Sequence, residues 1–243
     1  MHPEICKLGP VTVYSYGLML VIAFVVSTFL AAAQAKREKI DPEIIFNLSF
    51  TIFISGIIGA RIFYVLDNLN YYLKAPLEII MLQKGGLAWF GGLILGSICG
   101  ILYIKRKNLP VYKIIDLFAP FVAFGQAIGR IGCFLNGCCY GKESAFGIYS
   151  PAQGAVLIPS QLYSALILVV IFVILRIMQV RPHKNGEIFF AYLFFYSIKR
   201  FFVEYLRADN PVIIFGLTLF QILSIAVFIL AAIYLYIIKK RKG

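Results

Sequence analysis

Seven long apolar runs constrain this chain more than any other feature of its sequence. A helix needs roughly 20 residues to cross the hydrocarbon core of a bilayer, and each run has about that length. Hydrophobic residues make up 61% of the chain and charged residues 14%, with a mean hydropathy of +0.87, which excludes an ordinary soluble domain. The runs also lack the alternation of barrel strands. We therefore predict an all-α polytopic membrane protein, a bundle of about seven transmembrane helices. The predicted helices cover residues 14–33, 44–65, 86–104, 114–134, 159–178, 188–206 and 217–238.

Clusters of basic residues follow every second apolar run, at residues 36–39, 105–107, 181–184 and 239–242. Cytoplasmic loops carry such clusters, so the pattern predicts an N-terminus outside the cytoplasm and a cytoplasmic C-terminus. We expect one transmembrane domain over residues 1–243, with small extracytoplasmic loops near 66–85 and 135–158 and an interfacial helix near 71–82. The clusters also account for the net charge of +12, so the charge indicates a lipid bilayer and no nucleic acid as partner.

Arginines lie inside three of the apolar runs, at Arg61, Arg130 and Arg200. An arginine at the centre of a membrane helix costs roughly 2.5–3.5 kcal/mol on insertion scales. In the predicted orientation, all three lie toward the extracytoplasmic leaflet. One such arginine is explained by a side chain that reaches up to the interface. Three at one level favour a shared pocket for an anion.

The sixth run carries a polar face. Tyr196, Arg200, Glu204 and Arg207 are spaced by about one helical turn and lie on the same side of a helix. An intrahelical ion pair between Arg200 and Glu204 is one interpretation. Because further cations flank that pair, we favour the other interpretation, in which Glu204 holds Arg200 toward a ligand phosphate.

Glycines and a turn surround Arg130. Gly92, Gly96 and Gly100 recur at four-residue spacing, which lets membrane helices pack closely, and Gly129 and Gly132 flank the arginine. The Asn-Gly-Cys-Cys-Tyr-Gly stretch at 136–141 should leave the helix. Non-helical backbone at this depth must be buried in protein or line a cavity.

Three of the five cysteines, Cys133, Cys138 and Cys139, lie at this turn. No histidine or fourth thiol accompanies them in the sequence, so we expect small apolar filler and no metal site. The chain contains no Cys-x-x-Cys pair, which disfavours a disulfide framework and a thiol oxidoreductase.

The order of several motifs along the chain resembles bacterial prolipoprotein diacylglyceryl transferases. The motifs are Tyr-Gly-Leu-Met at 16–19, Gly-Ala-Arg-Ile-Phe-Tyr at 59–64, Gly-Arg-Ile-Gly at 129–132, Phe-Leu-Asn-Gly at 134–137, Pro-Ser-Gln-Leu-Tyr at 159–163, and Arg200, Glu204, Arg207 and Asp209. The resemblance implies transfer of a diacylglyceryl group from phosphatidylglycerol to the lipobox cysteine thiol in the signal peptide of a preprolipoprotein. Glycerol phosphate is released, and no cofactor is implied. It also implies a multi-pass protein of the bacterial plasma (inner) membrane, with its active site toward the extracytoplasmic leaflet.

The resemblance assigns roles to individual residues. Arg130, Arg200, Glu204 and Tyr16 would be catalytic, and Arg130 would also bind the phosphate. The expected substrate-binding residues are Arg130, Arg61, Tyr64, Asn136, Gly141, Gln161, Tyr163 and Arg207.

The chain departs from the family pattern at four positions. Phe90 replaces a histidine found in many members, Cys133 and Cys138 replace Asn and Glu, and Ser164 replaces Glu. The general base is therefore open between Glu204, Tyr16 and a substrate thiol that ionises without help. A transporter for lipids or anions, with the same arginine pocket, is the alternative function, although only one helix break is predicted and inverted repeats are not seen.

Overall fold

The computed structural model describes residues 4–8, 11–81, 85–151 and 153–240. Seven long helices run through these residues, and each matches a predicted apolar run to within a few residues. They are α1 (Ser15–Arg37), α2 (Pro42–Asp67), α4 (Trp89–Arg106), α5 (Val111–Asn136), α6 (Ser160–Val180), α7 (Glu187–Leu206) and α8 (Leu219–Lys240). The short α3 (Leu69–Tyr72) and a 3-10 helix (Pro76–Ile80) lie between α2 and α4. The prediction of an all-α polytopic membrane protein is confirmed.

Six of the seven long helices in the described part of the chain are long and apolar enough to cross a membrane. The other one, α7, carries Lys199, Arg200 and Glu204, which are only 3%, 9% and 3% exposed. Large apolar side chains of the same helices face outward instead, such as Phe202, which is 64% exposed. Polar groups inside and apolar groups outside are expected when the surrounding solvent is lipid.

Three antiparallel hairpins lie at helix ends, in segments for which no strand was predicted. They pair β1 (Glu4–Leu8) with β2 (Val11–Tyr14), β3 (Glu143–Ser150) with β4 (Ala155–Leu157), and β5 (Val212–Ile214) with β6 (Leu217–Thr218). Each is short, so its few β-branched and aromatic residues give only a weak pattern. The interfacial helix predicted near 71–82 is wrong as a single element. Pro76 has no N–H and disfavours a helical Ala75, so the chain forms two separate short helices, α3 and the 3-10 helix.

Two compact units make up the chain. One contains residues 32–114, and the other contains residues 1–31 together with residues 115–243. The single domain expected over residues 1–243 stays a prediction.

In the unit of residues 32–114, α2 and α4 pack through glycines. A Cβ on Gly59 would lie 2.4 Å from the carbonyl oxygen of Gly91, and a Cβ on Gly91 would lie 2.3 Å from that of Gly59. Gly92 packs in the same way on Gly56, while Gly96 and Gly100 contact Ile52. The predicted close helix packing at Gly92, Gly96 and Gly100 is confirmed, and α2 is the partner helix.

Arg61 holds the chain between α2 and α4 in place. Its Nε donates to the carbonyl oxygen of Ile79 at 2.8 Å, and Nη1 donates to those of Gly85 and Gly86 at 2.6 and 2.9 Å. Nη2 donates to the carbonyl oxygens of Glu78 and Met81 at 2.5 and 3.3 Å. These bonds use all five guanidinium donors. Arg61 is 6% exposed, so its charge is neutralised by backbone dipoles inside the protein.

The other unit is built around α5, α6 and α7. Its core contains six small or aliphatic side chains and one tyrosine, which are Ala119, Ala123, Ile171, Leu175, Ile188, Ala191 and Tyr192. Asp116 on α5 binds the first turn of α7, where its carboxylate accepts hydrogen bonds from the backbone N–H groups of Gly186 at 2.5 Å and Phe189 at 2.8 Å. A carboxylate is well placed at a helix N-terminus, where the backbone N–H groups lack partners. This contact fixes where α7 begins relative to α5.

Gly91→Ala should destabilise the unit of residues 32–114. The added Cβ would meet the Gly59 carbonyl oxygen at 2.3 Å and the Phe63 Cβ at 2.6 Å, and overpacking of this kind costs about 1–3 kcal/mol. Thermal unfolding of the purified protein in detergent measures the loss. Gly17→Ala is the matched control, because a Cβ there meets no described atom within 4 Å. Equal unfolding temperatures for the two variants would contradict the packing.

Arg61→Lys should loosen the segment of residues 76–81. A lysine offers three donors from a single nitrogen, so several buried carbonyl groups lose their partner, at a cost of about 2 kcal/mol or more. Faster hydrogen–deuterium exchange in that segment is the expected result. The control is Arg37→Lys, at an exposed position at the end of α1, which should leave exchange unchanged. Unaltered exchange in the Arg61 variant would show that the segment does not depend on the guanidinium.

Candidate active site

Arg130 lies near the C-terminal end of α5 and is half-buried. Among the described residues, no side chain or backbone carbonyl forms a hydrogen bond or an ion pair with its guanidinium. A Cβ on the preceding Gly129 would meet no described atom within 4 Å. An unpaired guanidinium beside open space, at the end of an apolar helix, is suited to bind an anionic ligand.

The first helix brings a tyrosine to Arg130. A Cβ on Gly132 would lie 2.8 Å from the Cβ of Met19 and 3.5 Å from Cδ2 of Tyr16, so α1 packs directly on this turn of α5. Tyr16 is close enough to interact electrostatically with Arg130. Tyr16 and Arg130 are therefore neighbours in the structure, and Gly132 makes this approach sterically possible.

Arg200 and Glu204 form a buried ion pair on α7. The distance from Nη2 of Arg200 to Oε2 of Glu204 is 3.2 Å. The other carboxylate oxygen, Oε1, accepts hydrogen bonds from Asn210 at 2.7 Å and from the hydroxyl of Thr218 at 3.0 Å. The guanidinium of Arg200 also stacks on Phe220, with its Cζ 4.3 Å from the ring centroid. Glu204 is thus held from outside α7, and it orients an arginine that keeps free donors in the described structure.

Positive charges from α5 and α7 converge. Lys199 interacts electrostatically with Arg130, Arg200 and Arg207, as well as with Glu204. Arg207 is paired with Asp209 at 2.6 Å and lies 4.0 Å from Oε2 of Glu204. The three arginines Arg130, Arg200 and Arg207 lie close to the two carboxylates Glu204 and Asp209, so the formal charge difference of this group is three minus two, or +1. The group suits a phosphate.

The turn after α5 is joined to two other elements by backbone contacts. The N–H of Gly141 donates to the carbonyl oxygen of Ile158 at 3.0 Å, and that of Lys142 donates to Leu206 at 2.8 Å. A Cβ on Gly141 would lie 2.6 Å from the Ile158 oxygen and 2.8 Å from the Leu206 oxygen, so only glycine fits. The helix ends at Asn136, as predicted.

Two side chains at the start of α6 hold the same turn. The amide of Gln161 donates to the carbonyl oxygen of Cys138 at 2.8 Å, and the hydroxyl of Ser160 donates to that of Cys139 at 2.9 Å. Gln161 is 2% exposed, and its Oε1 has no hydrogen-bond partner in the described structure. Gln161 therefore positions the turn beside Arg130.

The thiol of Cys139 lies in a positive environment. Hydrogen bonds from the thiols of Cys133 and Cys138, together with the charges of Arg207 and Arg130, lower the pKa of Cys139. Positive charges stabilise a thiolate more than a thiol. The turn therefore lies in the positive electrostatic field of Arg207 and Arg130.

Other predicted residues are placed differently. The donors of Arg61 are committed to backbone carbonyls, and the ring of Tyr64 packs on Gly86, where a Cβ would lie 2.4 Å from the ring. We therefore assign both residues to loop support and not to phosphate binding. Tyr163 is 44% exposed on α6, on the outer side of that helix.

Sequence reasoning missed two residues that complete the ion-pair site. Asn210 and Thr218 hold Glu204. The sequence does contain a signal for the role of Thr218 at a helix start, because Thr218 and Gln221 have the Thr-x-x-Gln spacing of a capping box. The structure forms this box, with the N–H of Thr218 donating to Oε1 of Gln221 at 2.9 Å and the N–H of Gln221 donating to the Thr218 hydroxyl at 3.3 Å. No short-range pattern connects Thr218 with Glu204.

Known proteins resemble this chain over nearly its whole length. The family model described as prolipoprotein diacylglyceryl transferase matches residues 3–237. The phosphatidylglycerol–prolipoprotein diacylglyceryl transferase of Streptococcus pyogenes serotype M5 (strain Manfredo) is 33% identical over 253 residues, covering 100% of this chain and 97% of that protein. Proteins with the same name from serotype M49 (strain NZ131) and serotype M18 (strain MGAS8232) match to the same extent. Because the family match covers nearly the whole chain and the relatives align over all of it, this chain belongs to the prolipoprotein diacylglyceryl transferase family.

Proposed function

We propose that this chain transfers the diacylglyceryl group of phosphatidylglycerol to the lipobox cysteine thiol of a preprolipoprotein signal peptide and releases glycerol phosphate. Membership of the family makes the chain a membrane transferase, and the names of its relatives contain both substrates. The observation that carries the proposal is Arg130, a guanidinium without a partner in the described structure, beside Lys199, Arg200 and Arg207. A phospholipid headgroup supplies the anion that this group lacks.

The reaction exchanges one C–O bond for a C–S bond at a carbon of the diacylglyceryl group. The thiolate sulfur attacks the glyceryl carbon that carries the phosphodiester, a C–S bond forms, and the C–O bond to phosphate breaks. The electron pair of that bond leaves with glycerol phosphate, whose new phosphate oxygen can take up the proton lost by the thiol. Arg130, the residue that we assign to phosphate binding, stabilises the charge that grows on the leaving oxygen. A guanidinium is suited to this role because it binds two phosphate oxygens at once.

Glu204 acts in this proposal as a positioning residue. Its Oε1 accepts two hydrogen bonds, and its Oε2 lies 3.2 Å from Nη2 of Arg200 without accepting a hydrogen bond in the described structure. The side chain is therefore held in place and orients Arg200 toward the leaving group. The general base stays open between Glu204, Tyr16 and self-ionisation of the substrate thiol.

An apolar cavity on α7 and α8 suits an acyl chain. It has a volume of about 340 Å³ and is lined mainly by aromatic and aliphatic side chains, among them Phe201, Phe202, Ile225 and Phe228. Phe201 directly follows Arg200 in α7, so the cavity lies near the level of the phosphate-binding group. A lipid bound with its headgroup on the arginines can place hydrocarbon there.

The orientation of the chain is part of the proposal. The basic clusters favour a cytoplasmic C-terminus, which places the ends of α5 and α7, and with them Arg130 and Arg200, toward the extracytoplasmic leaflet. The same location is therefore proposed for the active site.

Arg130→Ala should abolish transfer. Purified protein mixed with phosphatidylglycerol vesicles and a lipobox peptide should yield diacylglyceryl peptide, detected by mass spectrometry. Loss of the phosphate contact should lower kcat/KM by at least about 100-fold, the size seen when a group that stabilises developing negative charge is removed. Arg181→Ala is the matched control, because Arg181 is exposed and follows the C-terminal end of α6, whereas the turn beside Arg130 contacts the start of that helix.

Two results would overturn the assignment. One is wild-type turnover in the Arg130 variant, and the other is phospholipid transport by the wild-type protein without any peptide product, which the transporter alternative requires. A protein carrying Cys133→Ser, Cys138→Ser and Cys139→Ser together should remain active, because the peptide supplies the reacting thiol.

A reporter fused to the C-terminus should respond as a cytoplasmic one. A fluorescent protein placed there should fluoresce, and alkaline phosphatase placed there should be inactive, because four basic residues follow or end α8. Alkaline phosphatase inserted between β3 and β4 should be active and serves as the control. The reverse pattern would place the arginines on the cytoplasmic side and contradict the proposed orientation.

A further inference from the structure

Three thiols meet where α5 ends. Cys133 lies in the last turn of α5, and Cys138 and Cys139 follow in the turn held by Ser160 and Gln161. Their three sulfur atoms all lie within 4.8 Å of one another. The proposed transfer uses none of these groups, because the substrate peptide brings its own thiol.

We propose that Cys133, Cys138 and Cys139 form a binding site for one soft d¹⁰ metal cation of the Cu⁺, Zn²⁺ or Cd²⁺ class. A Zn–S bond is about 2.3 Å long, so three sulfurs arranged around one ion in a plane are roughly 4.0 Å apart. The observed upper limit of 4.8 Å is close to this value, and small side-chain rotations close the difference. No histidine or fourth thiol accompanies these cysteines in the sequence, but three thiolates suffice for Cu⁺, and water can complete the tetrahedron of Zn²⁺.

The backbone presets this arrangement. Gly137 and Cys139 both have left-handed conformations, with φ of 73° and 61°, and the N–H of Cys138 donates to the carbonyl oxygen of Cys133 at 3.1 Å. The left-handed conformation costs more free energy at Cys139 than at Gly137, because a residue with a Cβ seldom adopts it. The turn therefore brings Cys138 and Cys139 back over the end of α5, facing Cys133. Gln161 and Ser160 donate hydrogen bonds to the carbonyl groups of Cys138 and Cys139, so the backbone that carries these two thiols is held in place.

Charge favours a metal–thiolate group at this position. Three thiolates around a divalent cation have a net charge of −1, and around a monovalent cation −2. Arg207 and Arg130 lie close enough to Cys139 to interact with it electrostatically, and they supply compensating charge. Binding releases the protons of the thiols, and no electron is transferred. A bound ion would tie the turn to α5 beside the arginines.

Cadmium titration tests the site. The protein should carry Cys6→Ser and Cys99→Ser, which leaves these three thiols as the only ones, and a phosphine should keep them reduced. Addition of Cd²⁺ should produce a sulfur-to-cadmium charge-transfer band in the ultraviolet that saturates at one ion per protein. Zn²⁺ should remove the band by competition, and Cd²⁺ should raise the unfolding temperature.

Single substitutions distinguish a metal-binding site from three thiols that are only close together. Cys138→Ala and Cys139→Ala, each made in the same background, should weaken Cd²⁺ binding by at least about tenfold and remove the rise in unfolding temperature. Both positions lie outside the helices, so circular dichroism can verify that each variant is folded. A folded background protein without a saturable band would overturn the proposal. Undiminished binding by both variants would overturn it as well. Neither readout depends on the proposed transferase activity.

Discussion

Positive charge inside an apolar bundle is the constraint on which the rest of this structure depends. Arg130 and Arg200 lie on helices whose outer faces are apolar, and each guanidinium needs compensation there. Glu204 compensates Arg200 from within α7. Arg130 has no such partner among the described residues, and nearby Arg200 and Arg207 add positive charge. The electrostatics of this site would be completed by an anion from outside, and we propose a phospholipid headgroup as that anion.

Maintaining that site requires rigid support, because a flexible guanidinium would pair with the nearest carboxylate. Thr218 and Asn210 fix one oxygen of Glu204, and the capping box at the start of α8 fixes Thr218 in turn. The backbone N–H of Lys142 joins the turn after α5 to the end of α7. The cations therefore keep their spacing through contacts made by neighbouring elements. Preorganisation of this kind is what makes electrostatic stabilisation of a leaving group effective.

The unit of residues 32–114 shows the opposite use of a buried arginine. Arg61 donates all five of its guanidinium hydrogen bonds to backbone carbonyl oxygens, so its positive charge stabilises the loop between α2 and α4. Gly59 and Gly91 let α2 and α4 approach until a Cβ on either would overlap the other backbone. Arg61 and Arg130 have similar positions in their apolar runs. Only the presence or absence of local acceptors distinguishes a structural arginine from one that is available to a ligand.

The sequence by itself determined the helices and the chemical class of the site. Runs of about 20 apolar residues have one stable form in lipid, because each backbone group must be bonded within its own segment. The spacing of Arg200, Glu204 and Arg207 follows from the helical period, and glycine repeats mark close packing because no other residue permits it. The tertiary structure alone decided which arginine is free, which residues hold Glu204, and that Cys133 meets Cys138 and Cys139. The hold on Glu204 depends on a contact between separate elements, Thr218 with Glu204, about which local periodicity contains no information. The three thiols meet because of the left-handed turn at Gly137 and Cys139, which Gln161 on α6 holds through Cys138.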